Sequence, residues 1–416
     1  MKPNIHKLSN GLTVIVIPRE STEFIYMLCK VNVGSKNENR AENGSSHFVE
    51  HAVFLGSDEY SKRKILNQMN RLGTSIDAGT NDKTTSYGIQ VLKNDAEKAI
   101  KLLSQLLLHP TFPEKQIECE KKVILQEIID TQDEDHFSEA FEELIFKDEG
   151  FHMNICGPEE NVKSFTAQDL KSFWKKHYTA PNSVLVMCGA IKPESGFRLA
   201  EKYFAAMSAK MVKQPVKLPY YGGMPICVSE IQGVNFTLAF NAFDPRKTFA
   251  RGVISEILGG DFNSRLHKRI RERRGLVYHI GSRIEKFYHA DLFLIEAFTC
   301  AQNFNKVLSL TCENIREMQE KTVSQRELKI AKQKIIMNYG IIMDNNESCA
   351  QFYASSWLLN HEAQSLEEIK AEINQVSATE VQALAHKIFQ TPLTYAVEGT
   401  YENYIPFKMV QTILRD

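Results

Sequence analysis

Two histidines and a glutamate fall within five consecutive residues in the segment His47-Phe48-Val49-Glu50-His51. On a helix, His47 and His51 project from one face, a turn apart. Two imidazoles so placed can grip one tetrahedral divalent ion through ring nitrogens. Glu50 is three residues from His47 and beside His51, so its carboxylate can reach water at the metal without being forced to ligate it. Phe48, Val49, Ala52 and Val53 lie toward other faces and can bury the helix against a sheet. Ser45 or Ser46 is the expected N-cap. With 12 histidines in 416 residues, H-x-x-E-H should arise by chance only about 0.03 times in such a chain. Two unrelated core or surface histidines are therefore the weaker reading.

A catalytic zinc also needs a third protein ligand and an open fourth position. That ligand should be a His or an acid on another element. The stretch from Glu114 to about Asp130 is strongly helical, with Pro113 harmless in its first turn. It offers Glu120 and Glu127, seven residues apart on nearly the same face and flanking Ile117, Ile124 and Ile128. Glu118, Lys121 and Lys122 already supply a wet side, so acids among isoleucines are poorly explained as solvated charge. A merely amphipathic helix is the competing reading.

The elements around these residues follow from pattern. Strand-like runs cover Leu12 to Ile17 and Phe24 to Val33, bounded by Asn-Gly and Gly-Ser. Helices are expected at about Ser45 to Leu55, Ser61 to Leu72, Ala96 to Leu108 and Ala167 to His177, with extended chain from Ser75 to Val91 and a strand at Val184 to Ile191. The stretch KQPVKLPYYGGMP holds three prolines and two glycines and is the best boundary in the chain. Beyond it, strands are expected at Phe236 to Phe243 and Leu292 to Thr299, a helix after Gly259-Gly260, and long helices over Asn305 to Lys321 and Gln325 to Met343. A slide of 211 residues lays QRELKIAKQKII on EKQIECEKKVIL with apolar residues in step. The expectation is an α+β fold of two homologous domains, each an antiparallel sheet with helices packed on one face. Residues 1–212 form the metal-binding domain, 213–225 a linker, and 226–416 a second domain.

Fifty basic against fifty-one acidic residues leave a net charge of -1, which gives no global field for nucleic acid or an anionic membrane. The run FNSRLHKRIRERRGLVY is basic but has no aromatic stacking platform, so no nucleic-acid partner is expected. The acidic run from Asp130 to Glu149 reads as a solvated helix face. Eight scattered cysteines contain no C-x-x-C pair and point to a reducing compartment. The opening MKPNIHKLSNGLTVIVIP matches neither a secretory signal nor a transit peptide, and no run of 18 apolar residues occurs. A cytoplasmic protein is expected, with a trimmed organellar one as the alternative.

HFVEH followed by Glu127 within EKKVILQEI resembles the pitrilysin/insulysin/mitochondrial processing peptidase family, the inverted zincins. NGLTVIVIP, VGSKNENRAENG, LLLHPTF and KKHYTAPNSVLVMCG extend the similarity over nearly the whole chain. The resemblance implies one zinc per chain on His47, His51 and Glu127, with Glu50 as general base and Glu120 orienting a ligand from behind. It makes GGDFNSRLHKRIRERRGLVY the second-domain signature, with Arg271 and Tyr278 approaching the scissile peptide. The second half carries Leu258, Phe262 and Asn338 at the positions 211 residues beyond His47, His51 and Glu127, so it has no metal site of its own. In the family an edge strand with an Asn-Ala pair receives extended substrate. Here Asp77-Ala78-Gly79 stands instead, which puts the side-chain contact in doubt but not the backbone one. The implied activity is zinc-dependent hydrolysis of unfolded peptides by a homodimer. The alternatives are a heterodimer, as the catalytic subunit of a processing peptidase, or a non-catalytic scaffold subunit. Two imidazoles and a carboxylate also suit manganese or cobalt, and zinc is preferred.

Overall fold

The computed structural model describes residues 2–131, 145–146, 154–217, 219–224, 226–227, 231–242, 248–287, 290–399 and 405–415, and most of the acidic run 130–149 lies outside them. The chain divides into two compact units, Met1–Asp133 with Met153–Pro215 and Tyr339–Glu368, and Glu134–His152 with Val216–Asn338 and Ile369–Asp416.

The first unit is built on six strands: β1 (Asn4–Lys7), β2 (Thr13–Pro18), β3 (Phe24–Val31), β4 (Ile76–Thr80), β5 (Thr85–Leu92) and β6 (Ser183–Gly189). They lie in the order β1-β2-β6-β3-β5-β4, antiparallel except for β2 beside β6. Alternation along β3 explains its place in the middle of the sheet. Ile25, Met27, Cys29 and Val31 enter one core together with residues of helices α1 (Ser45–Ala52), α2 (Lys62–Leu72), α3 (Ala96–Leu108), α4 (Glu114–Thr131), α5 (Glu159–Ser164), α6 (Ala167–His177) and α7 (Pro193–Phe204).

Tyr26 and Lys30 emerge on the opposite face. There the Tyr26 hydroxyl donates to Glu347 at 3.4 Å and Lys30 Nζ to Ser355 at 2.9 Å. Both partners belong to a much later helix, Asn346–Asn360, packed on β3 and β6. Burial pulls Lys30 down to about 8.

The second unit has five strands: β7 (Ile226–Cys227), β8 (Val234–Asn241), β9 (His279–Lys286), β10 (Asp291–Thr299) and β11 (Thr394–Gly399). Their order is β7-β11-β8-β10-β9, with β7 and β11 parallel. Strand for strand this is the first sheet's β2-β6-β3-β5-β4, including the one parallel pair. The internal repeat in the sequence is thus a repeat of topology. Its core joins Phe236, Leu238, Phe240 and Ile295 to Val253, Ile257 and Leu258 of α8 (Thr248–Gly259) and Phe304, Leu308 and Ile315 of α9 (Phe304–Glu320). Helices Gln325–Asp344, Leu366–Gln375, Ala378–Phe389 and Phe407–Arg415 complete the chain, with Asn346–Asn360 between the first two. The segment after Gly259-Gly260 closes into a π-helical stretch at His267–Glu272.

Candidate metal centre

Helix α1 is anchored by its apolar side. Phe48, Val49, Ala52 and Val53 are fully buried, which leaves His47, Glu50 and His51 to face away from the core. The expected serine N-cap is corrected: Gly44 occupies that position at φ 96°, and Ser45 and Ser46 sit inside the first turn. Their place is taken by Glu38, whose Oε1 accepts from Ser46 N at 2.6 Å and whose Oε2 accepts from Gly44 N at 2.9 Å and Asn43 Nδ2 at 3.0 Å. A carboxylate there satisfies the orphan amides and faces the positive end of the helix. Gly44 is required twice over, because its φ is left-handed and a Cβ would stand 2.6 Å from the Cys156 carbonyl oxygen.

Burial pushes the Glu38 carboxyl up to about 7, against the pull of its hydrogen-bond donors. The folded chain therefore holds that proton more tightly than the unfolded one does. This contribution to stability is full below about pH 4.5 and is lost as pH rises through about 7. Glu38→Gln, with no proton to lose, should show a flatter decline in melting temperature between about pH 5 and 8 than wild type. Parallel curves would remove Glu38 as the source.

Helix α4 brings the third group. Ile117, Ile124 and Ile128 pack into the core, so Glu120 and Glu127 are delivered to α1. Glu127 Oε2 lies 3.8 Å from His47 Nε2 and 3.6 Å from His51 Nε2. These separations are too long for hydrogen bonds and close to the roughly 3.3 Å between two ligand atoms of one tetrahedral zinc. One ligand atom from each of His47, His51 and Glu127 falls within 4.8 Å of the other two. Among the described residues this is the one such cluster able to hold a metal ion. The donor set, two imidazoles and a carboxylate, suits zinc.

The electrostatics of the two histidines differ. Burial, helped by the neighbouring His51, pulls His47 down to about 4, so it is neutral and keeps a lone pair for a metal at neutral pH. For His51, burial also pulls down, but it is outweighed by the Glu120 hydrogen bond and the charges of Glu127, Glu50 and Glu120, so the net direction is up. Glu120 Oε1 is 3.1 Å from His51 Nδ1, and its Oε2 is 3.2 Å from Lys62 Nζ. The His51 hydrogen bond lowers the Glu120 carboxyl, burial opposes it, and Lys62 adds to the lowering. An ionised Glu120 selects the His51 tautomer with its proton on Nδ1 and leaves the Nε2 lone pair open to a metal. Glu120→Ala should weaken zinc binding by roughly ten- to a hundredfold, read by competition with a chromophoric chelator. Unchanged affinity would reduce Glu120 to a partner of Lys62.

Glu50 is 9% exposed. Burial raises its carboxyl, Thr80 and His51 oppose the rise, and Glu127 and Asp77 add to it. The Thr80 hydroxyl donates to Glu50 Oε2 at 2.8 Å. Thr80 closes β4, the strand that also carries Asp77, Ala78 and Gly79. Asp77 pairs with Gly88, Ala78 with Tyr87 and Gly79 with Ser86 of β5. Among the described residues nothing pairs with the outer edge of β4.

Arg271 and Tyr278 belong to the second unit. The Arg271 guanidinium lies over the Phe262 ring, 5.4 Å from its centroid, and Tyr278 is 81% exposed. Sequence reasoning passed over Thr80, Glu38 and Lys62. An acid shortly before a helix was a usable signal for Glu38. The other two are joined to the site only by the fold.

Two family models match the chain: insulinase (peptidase family M16) over residues 13–159 and peptidase M16 inactive domain over residues 164–335. An uncharacterized zinc protease of Rickettsia bellii is 28% identical over 95% of this chain and 97% of its own. The Neurospora crassa mitochondrial-processing peptidase subunit beta is 24% identical over 99% and 90%. Among solved structures, a protease from Helicobacter pylori superposes with TM-score 0.83 at 19% identity, covering 96% of this chain and 99% of its own. A peptidase M16 inactive domain from Pseudomonas fluorescens gives 0.85 at 19%, covering 98% and 100%. Sequence motif, two-unit fold and family models agree, and the chain belongs to the insulinase family of peptidases, family M16.

Proposed function

We propose that the protein is a zinc-dependent endopeptidase that hydrolyses unfolded peptides or flexible segments, with one zinc per chain on His47, His51 and Glu127. The observation that carries this reading is the convergence of three ligand atoms beside a buried glutamate that is held by the last residue of an open edge strand. The bound ion supplies Lewis acidity toward a peptide carbonyl and acidifies water. Glu50 takes a proton from the attacking water and delivers it to the leaving amine nitrogen. Glu120 keeps His51 in the ligating tautomer. The outer edge of β4, at Asp77-Ala78-Gly79, receives an extended backbone through main-chain hydrogen bonds, which restricts substrates to unfolded segments. Arg271 and Tyr278 donate to the oxyanion.

The test is cleavage of a quenched extended peptide by the purified chain, with loss on chelation and return with added zinc. Zinc-loaded protein inert on several unrelated peptides sinks the reading and leaves a scaffold role. Absence of cleavage until a different chain is added favours the processing-subunit alternative, which the likeness to a processing peptidase beta subunit motivates.

The working form is a homodimer in which Arg271 and Tyr278 of one copy serve the metal centre of the other, as the resemblance implies. Glu50→Gln and Arg271→Ala chains, each inactive alone, should then regain activity on mixing. A monomer by light scattering, or no recovery, overturns it. The location is cytoplasmic. Among the described residues no helix is long and apolar enough to cross a membrane, and Cys29, Cys119, Cys156, Cys188, Cys300, Cys312 and Cys349 are free thiols.

A further inference from the structure

The two carboxylate oxygens of Glu50 have different surroundings. Oε2 accepts from the Thr80 hydroxyl, and among the described residues no hydrogen bond reaches Oε1. Thr80 has one proton to give. Its other neighbour, Thr85 Oγ1, is 3.4 Å away against 2.8 Å to Glu50. Thr85 spends its own proton on the Val33 carbonyl at 3.0 Å. An ionised carboxylate accepts only, so the Thr80 proton belongs to Glu50.

Thr80 is held where it stands. It pairs with Thr85 as the last rung of the β4–β5 hairpin. The Asn81 side-chain oxygen closes the turn by accepting from Lys83 N and Thr84 N, both at 2.8 Å. Gly34 lets the turn backbone approach closely, since a Cβ there would stand 2.1 Å from the Asn81 carbonyl oxygen. Behind Thr85, the buried hydroxyls of Tyr87 and Tyr178 lie 2.6 Å apart. A glutamate has three side-chain torsions, and beside two imidazoles it has other places to turn.

We infer that Thr80 is a positioning residue for the reaction: its hydroxyl fixes one oxygen of Glu50 and leaves the other for the attacking water. It does so from the strand whose outer edge would receive the peptide, so seating of substrate and alignment of the base act on one short element. This deepens the peptidase reading and rests on it.

Thr80→Val keeps the shape and removes the donor, and Thr80→Ser keeps the donor. At matched zinc content, the valine variant should lose roughly ten- to a hundredfold in kcat with KM nearly unchanged, and serine should restore most of it. A valine variant within about twofold of wild type, or a serine variant as impaired as valine, overturns the inference. Crystal structures of the zinc-free wild type and Thr80→Val give a readout independent of turnover. Glu50 should keep its rotamer in the first and leave it in the second, and the same rotamer in both also overturns the inference. If wild type cleaves no peptide, the peptidase reading fails by itself, while the crystallographic comparison still decides whether Thr80 orients Glu50.

Discussion

Glu50→Gln should reduce peptide hydrolysis by about 10²–10⁴-fold while zinc remains bound at one ion per chain. The side chain is not among the converging ligand atoms of His47, His51 and Glu127, so its charge can be removed without opening the metal cluster. Glutamine is nearly isosteric and can still accept from Thr80, so the loss isolates proton transfer. A second consequence runs the other way. Burial raises the Glu50 carboxyl above its ordinary value, so its ionised form costs more in the folded chain than in the unfolded one. Zinc-free Glu50→Gln should therefore melt no lower than zinc-free wild type, and preferably higher. The measurements are metal content, cleavage of a quenched peptide and thermal denaturation of the same preparations. Loss of activity with loss of zinc would move Glu50 from base to structural role. Retained activity would require a different base.

Removal of a ligand should have the opposite signature. His51→Ala deletes one of the three converging donor atoms and leaves Glu120 without the imidazole it hydrogen-bonds. If the roughly 10–16 kcal/mol typical of a protein zinc site is shared among its ligands, loss of one weakens binding by at least about a hundred- to a thousandfold. Activity should vanish with occupancy. Added zinc stabilises a native state that binds it and leaves the unfolded chain alone, so wild type should melt at higher temperature with zinc. His51→Ala should show little or no such rise. Thermal shift with and without zinc, beside direct titration, checks both. A variant that binds zinc as wild type does would displace His51 from the ligand set.

Much of the fold was legible because it repeats and because its patterns are local. The boundaries of α3, Ala96–Leu108, and of Ala167–His177 follow from periodicity and capping alone. The 211-residue slide pointed to a duplicated unit, and the matching strand orders give that duplication its structural meaning. The histidine pair and Glu50 were legible because one helical turn places them. Glu120 and Glu127 stood out as acids on an isoleucine face. What escaped is held together across the chain. Thr80 meets Glu50 only because a hairpin folds onto α1, and a threonine at a strand end has no special look in sequence. Gly44 replaced a serine cap because a carboxylate six residues earlier, Glu38, turned back on the helix. The π-helical turn at His267–Glu272 has a helix-like composition, so pattern could not tell it from an α-helix.

The helix Asn346–Asn360 covers a face of the first unit's sheet although it is encoded more than 150 positions after the last strand it touches, Ser183–Gly189. During synthesis that face, with Lys30 and Tyr26 on it, must wait for its cover until most of the second half has left the ribosome. The first unit is therefore a late closer, however early its strands are made. A fragment ending at the apparent boundary near residue 212 would keep the metal motif and lack its lid of helix, with an apolar sheet face exposed to solvent. In this family member, the half that carries the histidine pair is finished by the half that does not.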